Sequence, residues 1–188
     1  MSKHLACEQR GFSLIEVLIT LLILAIGLLG LAGLQSKMLG TEFEAYQRSQ
    51  ALTLARDMAN RIQLNPADAR ADAYSGNSVY GTGDSLNENC SPTALVDSDL
   101  CAWSRALKGV AVVGSDGVKL GSLMGAKGCI EKVSGAATSH VVMRVTVAWQ
   151  GLTPSAAPSV SCGRGSYGTD DALRRTVSII VTLGYLGV

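Results

Sequence analysis

The sequence predicts an α+β fold, one long N-terminal helix packed against a small antiparallel sheet. Three observations carry this. Residues 12–34, FSLIEVLITLLILAIGLLGLAGL, hold a single charge, Glu16. Residues 35–64 continue without a proline and with one glycine, Gly40, and return an apolar residue every three or four positions. Beyond Gly109 the spacing changes to every second residue, the period of a half-buried strand.

The first segment is suited to a membrane. A helix over residues 12–34 is about 35 Å long, against about 30 Å for a hydrocarbon core. Lys3, His4 and Arg10 precede it; Lys37 follows it, soon joined by Glu42 and Glu44. The basic flank belongs in the cytoplasm, which sends the C-terminal part outward, in a bacterium to the periplasm. The net charge is +1, so nothing favours a nucleic acid partner.

In the second segment Met38, Thr41, Ala45, Leu52, Ala55, Ala59 and Ile62 form a stripe, interrupted by Arg48. The helix stops at Asn65-Pro66, because a proline pushes the residue before it out of the helical region. One helix of about 80 Å, from Phe12 to about Leu64, is expected. Residues 67–96 show no period. Asp97 or Ser98 then caps a short helix from Asp99 to Lys108, with Leu100, Trp103 and Leu107 on its buried side. The strand candidates are the run Val110–Val113, followed by a turn at 115–117, then Cys129–Val133, Val141–Trp149 and Thr176–Leu183. Val141, Met143, Val145, Val147 and Trp149 share one face, as do Val177, Ile179, Val181 and Leu183. Residues 151–170, rich in Gly, Pro and Ser, are expected to be a loop. With 188 residues the chain can bury one sizeable core.

Five cysteines are present. Cys7 precedes the apolar run. Cys90, Cys101, Cys129 and Cys162 form an even set in the exported part, as disulfides of an oxidising compartment do. Four cysteines allow three connectivities. Short loops cost less entropy to close, which favours Cys90–Cys101 and Cys129–Cys162.

Residues 10–18 read Arg-Gly-Phe-Ser-Leu-Ile-Glu-Val-Leu. This resembles the class III signal of type IV pilins and pseudopilins, in which a prepilin peptidase cuts after the glycine. An ordinary secretory signal is cut after its apolar region and loses it; here the cut precedes the apolar region and keeps it. The resemblance implies cleavage between Gly11 and Phe12 and N-methylation of Phe12. It also implies that Glu16 pairs with the Phe12 amine of a neighbouring subunit and so sets assembly register. A charge inside an apolar span costs roughly 2.5–3.5 kcal/mol on insertion scales, so a partner is expected. The leader takes Cys7 with it.

The resemblance therefore divides the chain into a cleaved leader (1–11), a transmembrane and assembly helix (12–34), its amphipathic continuation (35–66) and a periplasmic disulfide-bearing head (67–188). GLLGLAGLQ at 27–35, ALTLARDMANRIQLNP at 51–66 and the Trp103 helix resemble the PilV group of minor pilins. That group implies a pilin-like fold and a role in starting pilus assembly. It implies as partners other minor and major pilins, the prepilin peptidase, the inner-membrane assembly machinery and a large non-pilin adhesin. A minor pseudopilin of a type II secretion system shares the leader, Glu16 and helix.

Other chemistries are weakly supported. The only histidines are His4 and His140, too few for a His-based catalytic or metal constellation. The cysteines lack the CxxC spacing of a zinc site. No enzyme activity, cofactor or metal is expected, a membrane-anchored periplasmic enzyme being the rival from another class. Gly163-Arg-Gly165-Ser-Tyr-Gly168 is a formal GxGxxG, but it lies in a loop before a strand rather than between a strand and a helix. Trp103 and Trp149 each fall on an apolar face, which reads as core. Gly27, Gly30 and Gly33 weaken a helix by about 1 kcal/mol each, for close packing in the membrane or for loosening on the way into a filament.

Overall fold

The computed structural model describes residues 11–86, 90, 94–110 and 123–185. Its elements run α1 (Leu14–Leu64), α2 (Pro66–Arg70), β1 (Tyr80–Gly81), α3 (Leu95–Leu107), β2 (Lys127–Ser134), β3 (Val141–Gln150), a 3-10 turn (Thr169–Asp171) and β4 (Arg174–Leu183). The strands form one antiparallel sheet in the order β1-β2-β3-β4. This is the α+β, pilin-like architecture of a long N-terminal helix with a small four-stranded sheet.

The chain divides into two units, Met1–Glu42 and Phe43–Val188. In the first, α1 buries nothing: Phe12 is 86% exposed and Leu29 74%. A side chain at Gly27, Gly30 or Gly33 would meet no atom within 4 Å among the described residues. So exposed an apolar helix fits a surface that meets lipid.

In the second unit the remainder of α1 builds the core. Gln47, Ala51, Ala55, Met58, Ala59 and Ile62 are its buried residues. The expected stripe is correct at Ala55, Ala59 and Ile62 and wrong before them. Met38, Thr41 and Ala45 are exposed and Leu52 only half-buried. Burial begins where the sheet and α3 supply a surface, and the sequence of one helix does not reveal that point. Half of these buried residues are alanines.

The helix around Trp103 starts earlier than expected, at Leu95. Its N-cap is Ala94 rather than Asp97 or Ser98. Asp97 lies in the first helical turn instead, where a carboxylate favours the positive end of the helix dipole. Trp103 and Leu107 are buried and Leu100 packs on the core. The Trp103 indole N–H donates to the Leu54 carbonyl at 2.9 Å, tying α3 to α1. Within 67–96, read as irregular, the structure has α2 and the two-residue β1. Pro66 at the start of α2 accounts for the first, since proline's fixed φ suits the first turn of a helix. The run Val110–Val113 and the turn at 115–117 lie outside the described residues, except Val110, which is in a turn.

The two long central strands extend slightly beyond their predicted limits. Val141, Met143, Val145, Val147 and Trp149 face the core, all at most 3% exposed. The opposite face holds a surprise: Thr146 and Ala148 are fully buried too. The loop between β3 and β4 folds back over them, with Cys129, Cys162 and Tyr167 forming a second small cluster. Alternation gave Thr146 as outward-facing, and only the cysteine spacing hinted at this cover.

Gly128 in β2 marks a close approach. A Cβ there would stand 2.3 Å from the Trp103 ring and 2.7 Å from Leu107. Gly128→Val is expected to force α3 off the sheet and destabilise the head by about 1–3 kcal/mol or more. A fall in melting temperature with both disulfides intact checks this.

Candidate functional site

The N-terminal motif sits just ahead of α1. Gly11, Phe12 and Ser13 are non-helical and exposed. The Ser13 carbonyl accepts the N–H groups of Glu16 (3.0 Å) and Val17 (3.4 Å), opening the helix. Glu16 is therefore in the first turn of α1. There the unpaired N–H groups and the helix dipole favour a negative charge. Glu16 is exposed, in an apolar surface that no described residue of its own unit covers. A carboxylate so placed can meet a cation brought by another chain.

The head's polar clusters are of a different kind. Asp99 accepts the Tyr74 hydroxyl at 2.6 Å and Arg61 Nη1 at 3.1 Å. Burial, reinforced by Asp99, pushes the Tyr74 phenol up to about 12. These residues join α1, α3 and the segment after α2. Asp84 accepts the Gly81 N–H (2.8 Å) and the Ser104 hydroxyl (2.6 Å), and pairs with Lys108. Burial works to raise the Asp84 carboxyl, but Lys108, Ser104 and Gly81 outweigh it and hold it below its ordinary value. A depressed carboxylate gives stability that is present above the unfolded value of 3.8 and is lost as pH falls through the lower folded value. Melting temperature should therefore fall on acidification below about pH 4, and less steeply in Asp84→Asn. Melting curves at stepped pH check this.

Arg174, 2% exposed, organises the β3–β4 loop. Its guanidinium donates to the carbonyls of Pro158 (2.9 Å), Val160 (2.5 Å) and Cys162 (3.0 Å) and pairs with Asp171 at 3.3 Å. Asp171 also accepts the Gly165 N–H at 2.9 Å and the Tyr167 N–H at 3.4 Å, and these bonds lower its carboxyl. A cavity of about 400 Å³ is lined here by Gly165, Gly168, Arg164 and Arg174 among others. The GxGxxG thus leads to a three-residue 3-10 turn, and the Gly165 N–H already has the Asp171 carboxylate. No sequence pattern marks Arg174, Asp84 or Asp99, whose partners include residues 12 to 38 positions away, and Asp171 acts inside an irregular loop through Gly165, Tyr167 and Arg174.

The four cysteines after the apolar run pair as Cys90–Cys101 and Cys129–Cys162, the connectivity that short loops favour. No group of three or more metal-ligating side chains occurs among the described residues.

Comparison with known families gives two adjoining matches. The prokaryotic N-terminal methylation motif matches residues 8–32, and the family described as type IV pilin Tt1218 matches residues 33–102. No curated protein and no solved structure matches significantly.

Proposed function

We propose, from the premise that this chain is of the type IV pilin class by its methylation motif and its pilin domain, that it serves as a minor pilin. In this reading it is a non-enzymatic subunit that helps to start and extend a type IV pilus. The observation that carries the reading is the uncovered apolar half of α1, headed by Gly11-Phe12 and holding one acid, Glu16. Such a helix is stable in lipid before assembly and among like helices after it. A prepilin peptidase cuts after Gly11, the Phe12 amine is methylated, and the disulfide-bearing head faces the periplasm. Partners are other minor and major pilins and the inner-membrane assembly machinery, with a large non-pilin adhesin near the tip. The resemblance of residues 27–35 and 51–66 to the PilV group supports the minor role.

Two measurements test this. Intact mass of the assembled protein should show residues 1–11 removed and one methyl group added; retention of Met1 overturns the processing. A deletion strain should lose pili while type II secretion persists. The reverse pattern selects a pseudopilin, and no change in either removes both readings in favour of an anchored enzyme.

A further inference from the structure

Burial of α1 begins at Gln47, which has no exposed surface. Its side-chain oxygen and nitrogen hydrogen-bond to nothing among the described residues. An amide buried in this way gives up water and gains no partner, which disfavours the packed state at that residue. The buried residues that follow, Ala51, Ala55, Met58, Ala59 and Ile62, are apolar and carry no such cost. Gln47 is thus a weak point at the end of the packing between α1 and the head.

One turn earlier the helix is fastened by polar contacts alone. Glu44 stands three residues before Gln47, which puts both on one side of α1. Its carboxylate accepts the Thr153 hydroxyl at 3.2 Å and pairs with the Arg175 guanidinium at 3.5 Å. Arg175 also donates to the Thr153 carbonyl and to the Ser155 hydroxyl, both at 2.6 Å. Gly151 gives it room, since a Cβ there would stand 3.0 Å from three atoms of the Arg175 side chain. Residues 152–157 are exposed and bury no apolar surface of note. Two backbone bonds hold this strap, Gly151 N–H to the Leu173 carbonyl (2.8 Å) and Ser155 N–H to the Ala172 carbonyl (2.7 Å). A segment fixed by partly exposed polar contacts opens more readily than a packed core.

We infer that residues 151–155 and Arg175 form a clasp that closes and opens on Glu44, and that Gln47 biases it toward opening. With the clasp shut, Glu44 is held and the Gln47 amide is dry. With the clasp open, the turn of α1 from Glu44 to Gln47 lifts from the head and the amide gains water. The helix from Ala51 onward stays packed in both states, because its buried face is apolar throughout. The clasp therefore sets where the head begins to grip α1, at Gln47 or one turn later. Both states are available to the chain whether or not it enters a filament.

Amide hydrogen exchange on the full-length, disulfide-bonded chain in detergent micelles tests this at single residues. Gly151 and Ser155 report the clasp; Val145 and Val147, buried in the central strand β3, are the reference. In the parent the two reporters should exchange faster than the reference. Glu44→Ala should speed both reporters about tenfold, the scale of one lost charged hydrogen bond, and leave the reference unchanged. Gln47→Met, close in size but apolar, should slow both reporters about tenfold, since the shut state no longer strands an amide. Gln47→Glu, which would bury a charge in the shut state, should speed them. Glu44→Ala combined with Gln47→Met should return them close to the parent. Three results overturn the proposal. The reporters could exchange as slowly as the reference. They could be indifferent to both changes at Gln47, which would mean that enclosed water already satisfies the amide. Or reporters and reference could shift together in every variant, a change of global stability rather than of a local clasp.

Discussion

Glu16→Ala should reach the membrane at normal levels, be cleaved normally, and fail to enter filaments. Removing a charge makes the helix more apolar, so insertion is favoured rather than impaired. The proposed cut site, between Gly11 and Phe12, lies outside α1 and does not include residue 16. Docking is the step that suffers. On the proposed pairing, an incoming Phe12 amine would lose its counter-charge where the dielectric is low and a pair matters most. Breaking such a pair costs about 3–5 kcal/mol, a loss of more than about 100-fold in docking. Pilus number per cell should fall toward that of the deletion strain. Normal piliation in Glu16→Ala would sink the register role, and a fall in membrane level would move the defect to insertion.

The second large effect is expected at Cys129–Cys162. This bond closes a loop with a sequence separation of 33 and ties β2 to the segment that covers Thr146 and Ala148. Replacing both cysteines by serine should destabilise the head by about 2–5 kcal/mol. Two further effects act in the same direction. The serine hydroxyls enter a place where Cys162 is 2% exposed, and the carbonyls that Arg174 gathers lose their anchor. Thermal melting with and without reductant measures it. A double variant that melts like the parent would show that Arg174 and Asp171 hold the loop without the bond.

Where the sequence was legible, a period or a chemical rule fixed the answer over many residues. The apolar run with its single acid, the proline after Asn65, and the alternation from Val141 to Trp149 gave the long helix and the central strand within a few positions. The illegible parts were decided by neighbours. Gln47 is fully buried, with neither amide atom hydrogen-bonded among the described residues, and no pattern would place a glutamine there. Met38 and Ala45 fit the helical stripe yet face outward, since burial starts only at Gln47. The start of α3 at Leu95 went unseen because Ala94 is a poor cap. In this helix, packing of Trp103 and Leu107 outweighs end chemistry. Arg174 read as an ordinary charge at a strand's start, because the carbonyls it gathers lie 12 to 16 residues earlier in the chain.

The connectivity of the two disulfides has a consequence for biogenesis. The four cysteines are bonded in consecutive pairs along the chain, 90 to 101 and 129 to 162. A polypeptide leaving the membrane from its N-terminal end exposes Cys90 first, then Cys101, and only later the second pair. An unselective oxidant acting in order of emergence therefore makes the native bonds directly, and wrong pairings need no correction. On the proposed periplasmic orientation, the yield of this head should depend on a thiol oxidase and be indifferent to a disulfide isomerase.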